Sequence, residues 1–108
     1  MSALGEAREL ALALPETTEQ DHHGMISFRV RGRIFATVPD EEHIRIMVDE
    51  AEIHAAVTEN PTFCEEVYWG KRLACVVVRL APATPELLTE AWLRKAPKTV
   101  ARDFQARP

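Results

Sequence analysis

The sequence predicts an α+β domain: an antiparallel five-stranded sheet, made of a three-strand meander plus a hairpin, with helices packed on one face. Three observations predict it. Alternating apolar and polar residues flank Gly32 within Phe28 to Val38 and read as a β-hairpin. Two further strand-like runs surround Trp69-Gly70-Lys71-Arg72. Apolar residues at helical spacing occur near both ends of the chain and bracket the strands.

The first helix is expected over Ala3 to Leu14, where Leu4, Ala7, Leu10, Ala11 and Leu14 form a stripe among good helix formers. Ser2 is placed to cap it and Pro15 to stop it. Glu16 to Asp21 shows no apolar pattern and reads as an acidic connector leading into His22-His23-Gly24. In the strand Met25 to Val30, Ile26, Phe28 and Val30 alternate with Ser27 and Arg29. Gly32 supplies the turn. The return strand, Arg33 to Val38, is expected to set Ile34, Ala36 and Val38 against Arg33, Phe35 and Thr37. Past the turn at Pro39 to Glu42, Ile44, Ile46 and Val48 complete the meander.

Asp49 followed by Glu52 has the spacing of a capping box, and Ile53, Ala56 and Val57 give the short helix behind it an apolar stripe that Asn60-Pro61 ends. Phe63 to Tyr68 and Leu73 to Leu80 read as the second hairpin, the latter rich in β-branched residues. Thr84-Pro85-Glu86 is a helix start, with Leu88 and Trp92, and Leu87 and Ala91, one turn apart. Pro97 interrupts it, and Val100 with Phe104 suggests a further short helix.

The 108 residues fit a single domain, 1–108, and 46% apolar with 28% charged residues excludes a disordered chain. No run is long and apolar enough for a membrane span, and Met1 to Glu6 lacks the basic start and apolar stretch of a signal peptide, so a cytoplasmic location is expected. Cys64 and Cys75 match no zinc spacing and read as reduced thiols, although a disulfide across the second hairpin would need them on matching faces. The net charge of −4 argues against strong non-specific nucleic-acid binding. Its distribution is uneven, however, for residues 22–38 and 67–108 are net basic while the segments before each are acidic.

Leu10-Ala11-Leu12-Ala13-Leu14-Pro15, then His23-Gly24, then Phe28-Arg29-Val30-Arg31-Gly32-Arg33-Ile34-Phe35-Ala36-Thr37 resemble the MmcQ/YjbR-like family. So do Trp69-Gly70-Lys71-Arg72 and Ala91 to Lys98. The resemblance runs from about Glu6 to about Lys98. It implies a CyaY-like (frataxin-like) fold, also described as a double wing for its two hairpins, and a DNA-binding label that follows that architecture. It brings no catalytic residues. Where many members have a tryptophan shortly after the second hairpin's turn, this chain has Leu73-Ala74-Cys75.

If every strand keeps its simple alternation, Arg29, Arg31, Arg33, Arg45 and Arg79 share the sheet face away from the helices. They read first as the wet side of a one-sided sheet and second as phosphate contacts. Lys71 and Arg72 are surface cations beside Trp69, which is either a structural tryptophan or a stacking platform for a base. Lys95, Lys98 and Arg102 have a sufficient explanation in the dipole of the last helix. His22, His23, His43 and His54 are the groups suited to proton chemistry near neutral pH, but there is no metal-ligand spacing, carboxylate pair or phosphate loop, so no metal, cofactor or enzymatic activity is expected. The expected function is a non-enzymatic domain, favoured as a monomer, that binds DNA through a basic sheet and hairpin face. The alternative is a protein-interaction or small-ligand module with no nucleic-acid role.

Overall fold

In the computed structural model, which describes residues 3–79 and 84–106, four helices and six strands form one α+β unit. Ser2, expected to cap the first helix, and Leu80 lie outside the described residues, as does the Thr84 side chain. Helix α1 (Ala3–Ala13) ends ahead of Pro15, whose ring disfavours helical geometry in the residue before it. Ala7, Ala11 and Leu14 are buried, whereas Leu10, expected in the stripe, is 41% exposed. The buried face of α1 runs through alanines, and the helix packs on α3 and β1.

The sheet order is β1-β2-β3-β4-β6-β5, six strands rather than the expected five. The extra strand is β1 (Thr17–His22), in the segment expected to be an acidic connector. It pairs antiparallel with β2 (Met25–Val30) from Thr17 opposite Val30 to His22 opposite Met25. Residues 18–21 are polar and exposed although α1 packs beside the strand, so this edge strand shows no apolar alternation. His23 (φ 53°) and Gly24 (φ 83°) form its tight turn, as Arg31 (φ 51°) and Gly32 (φ 81°) do for the next.

Strand β3 (Arg33–Asp40) departs from simple alternation. Phe28 faces Ala36, yet the neighbouring Arg29 faces Ile34, so Phe35 is the extra residue of a β-bulge. The bulge reverses the expected faces at the start of the strand. Phe35 is fully buried in the core, and Ile34 moves to the opposite face beside Arg29. Strand β4 (His43–Ile46) completes the meander and pairs with β6 (Arg72–Arg79), which pairs in turn with the second edge strand, β5 (Cys64–Trp69).

Helix α2 (Glu50–Glu59) begins as expected: the Asp49 carboxylate accepts the Glu52 backbone N–H at 2.9 Å. It packs on β5 and β6, and α3 (Thr84–Lys95) packs on β3 and β4. Leu87, Leu88, Ala91 and Trp92 of α3 are all buried. The Trp92 indole N–H donates to the Pro15 carbonyl at 3.0 Å, and its ring meets Phe104 of α4 (Lys98–Ala106) at 4.9 Å. Trp92 thereby joins both ends of the chain to the core, and a buried donor finds its partner. Phe28, Val30, Phe35, Ile44, Ile46, Val76 and Val78 supply the sheet's side of that core.

Candidate functional site

Strand direction decides which loops meet. Because β2 through β4, β6 and β5 all alternate in direction, the turn at Arg31-Gly32 and the turn at Gly70-Lys71 emerge at one end of the sheet. Met47 leaves β4 between them, its N–H donating to the Phe35 carbonyl at 2.9 Å. From the helical layer the last turn of α3 reaches this same end, where an Arg94 guanidinium N–H donates to the Met47 carbonyl at 3.3 Å.

Lys95 therefore sits among cations from three elements. Its ammonium is pushed below the usual lysine range, first by burial and then by Arg94, Arg33 and Arg72. Among the described residues the ion pairs are Arg8–Glu19, Arg31–Glu16, His43–Asp40 and His54–Glu66, and none involves Arg33, Lys71, Arg72, Arg94 or Lys95. A cleft of about 450 Å³ opens here, with Trp69, Arg72, Arg94 and Lys95 facing Asp49 and Glu50 at the start of α2. The Asp49 carboxylate caps α2 through the Glu52 N–H, and neither it nor Glu50 forms an ion pair with the cations on the far wall among the described residues.

The arginines expected to share one face are dispersed. Arg31 lies in the turn and spends its guanidinium on Glu16, at 2.7 and 3.2 Å. The two-residue turn puts Arg33 opposite Val30, on the helix side of the sheet, where it acts on Lys95. Arg29, Arg45 and Arg79 do occupy the helix-free face by register. Arg29 is half-buried with its Nε–H on the Ser27 hydroxyl at 3.1 Å, while Arg79 is opposite His43 at the far end. Trp69 is 49% exposed, with the Arg72 guanidinium 5.6 Å from its ring centre. Lys71 is exposed in the turn beside it. Neither Arg94 nor Lys95 is a site candidate in the sequence: Lys95 has a sufficient explanation in the helix dipole, Arg94 carries no signal of its own, and only tertiary placement brings them to the hairpin turns.

The helix-free face is not flat. One cross-strand row runs Gln20, Ser27, Thr37, Arg45, Val77 and Glu65. Ser27 and Thr37 are small and buried, and longer side chains rise around them. The result is a groove of about 260 Å³ lined by His22, Met25, Ile34, Thr37, Arg45, Met47, Trp69 and Lys95. Cys75 is buried on this side, its thiol pushed up by burial against an opposing pull from Arg45. Cys64 lies opposite Val78 on the core side, so the two free thiols are on different faces of the hairpin and no disulfide can join them.

The YjbR family model matches residues 12–96, from the end of α1 through α3. The chain belongs to the YjbR family. No curated protein matches this YjbR chain in sequence. Among solved structures, the crystal structure of Deinococcus radiodurans protein DR2400, described as a DUF419 domain, superposes with a TM-score of 0.75 at 18% identity, covering 99% of this chain and 91% of that one. At that identity the likeness shows the fold alone. Among the described residues of this YjbR domain no three His, Cys, Asp or Glu side chains converge on a metal-sized site, and no helix is long and apolar enough to cross a membrane.

Proposed function

We propose that this YjbR domain is a non-enzymatic binding module that takes DNA at the end of the sheet where both hairpin turns and the α3 C-terminus meet. One observation carries the reading: Arg72 and Arg94 line one cleft with a half-buried Lys95, on which Arg33 also acts from β3, and none of the four forms an ion pair among the described residues. Bringing like charges together costs folding energy, and a polyanion offsets that cost. Arginines on a rigid frame also suit phosphate oxygens, which they meet with two parallel N–H donors. The acidic remainder of the molecule confines the attraction to this end, consistent with a net charge of −4.

Backbone amide NMR with a short DNA duplex tests the reading. Shifts should concentrate at residues 31–33, 69–72 and 93–96. Shifts confined to the α2–α3 side, or none at low salt, would refute it.

A further inference from the structure

We infer that the groove on the helix-free face receives one unpaired base of a single-stranded polynucleotide whose phosphates lie on the Arg72, Arg94 and Lys95 side of the cleft. This rests on the nucleic-acid reading above and specifies the form of ligand. Trp69, Met47 and Lys95 line both the cationic cleft and the groove, so the two cavities share a wall. A strand whose backbone follows the cations has the groove directly across that wall.

The groove's chemistry suits a base. Met25, Ile34, Met47 and Trp69 give it apolar sides, and Arg45 and Lys95 supply donors toward base carbonyls or ring nitrogens. At about 260 Å³ it falls just below the range of about 300–1,000 Å³ typical of pockets for drug-sized ligands, so it holds a single planar ring system rather than a whole nucleotide. The Trp69 indole is 49% exposed and Arg72 already stacks near it, which makes a π-surface with an adjacent cation. A duplex keeps its base faces inside the stack, whereas a single strand offers them freely.

The experiment compares oligo(dT), oligo(U) and a short DNA duplex by anisotropy, with tryptophan fluorescence as a second readout. Trp92 is fully buried, so a quench on adding either single strand reports Trp69. Trp69 is 49% exposed and no hydrogen bond of its side chain occurs among the described residues, so Trp69→Leu should fold. The expected result is quenching by a single strand, and a loss of about 5- to 150-fold in single-strand affinity in Trp69→Leu that clearly exceeds the loss in duplex affinity. A quench with either oligo(dT) or oligo(U) supports the inference. Equal losses on single strand and duplex, or no loss on either, would overturn the base pocket while leaving phosphate binding intact. Failure of all three probes to bind at low salt would overturn both readings.

Discussion

The Arg72 guanidinium lies over the exposed ring of Trp69, 5.6 Å from its centre, at the tip of the second hairpin. An exposed cation–π pair is worth about 0.5–1 kcal/mol. Arg72→Ala should therefore lower stability by no more than about 1 kcal/mol in urea unfolding, while removing one cation from the proposed interface. A loss of several kcal/mol would mean that Arg72 is a structural residue.

Trp92 and Pro15 are 77 positions apart and joined by one hydrogen bond. Trp92→Phe keeps an aromatic ring in the core but leaves the Pro15 carbonyl without its donor. An unsatisfied buried acceptor costs about 1–3 kcal/mol, to which the lost ring area adds. Denaturant midpoints measure it; an unchanged midpoint would show that water replaces the indole.

The bulge at Phe35 separates two neighbouring residues by energy. Phe35→Ala should cost about 3–5 kcal/mol, as for a fully buried aromatic, and Ile34→Ala clearly less, since Ile34 is only half-buried on the groove side. Equal costs, or the reverse order, would restore the simple alternation and contradict the register.

Lys95 gives a pH dependence of definite sign. Its folded-state proton affinity is below that of an unfolded lysine, so the unfolded chain holds more protons between the two values. Stability attributable to Lys95 must rise as pH climbs through its folded pKa toward the ordinary 10.5. Subtracting the stability profile of Lys95→Gln from that of the unmodified protein isolates this increment. A difference that is flat or falls with pH in that window would show that neither burial nor the neighbouring cations lower its proton affinity.

Much of the fold was legible because buried strands and amphipathic helices carry their periodicity openly. The Asp49 cap, the Thr84-Pro85-Glu86 helix start and the β2–β3 turn follow from local chemistry. Strand β1 was not legible, since Thr-Thr-Glu-Gln-Asp-His pairs along one edge only and carries no apolar side chain to mark a buried face. Its one local signal was His23-Gly24, a dipeptide with the same left-handed geometry as Arg31-Gly32. The bulge was hidden because Ile34 and Phe35 are both apolar and either could face the core. At the site, antiparallel order was enough to bring the two hairpin turns together. Adding Arg94 and Lys95 required knowing where α3 ends against the sheet.

Joint action of Arg33, Arg72, Arg94 and Lys95 on phosphates underlies the proposed function. Its most direct test is the salt dependence of duplex DNA binding, measured by anisotropy for the unmodified protein, for the combined Arg33→Ser, Arg72→Ser and Lys95→Ser variant, and for Arg79→Ser at the opposite end of the sheet. Four phosphate contacts predict a slope of log affinity against log salt of about −3.6, falling to about −1 in the triple variant and unchanged in Arg79→Ser. Undiminished binding by the triple variant, or an equal loss in Arg79→Ser, would contradict the claim.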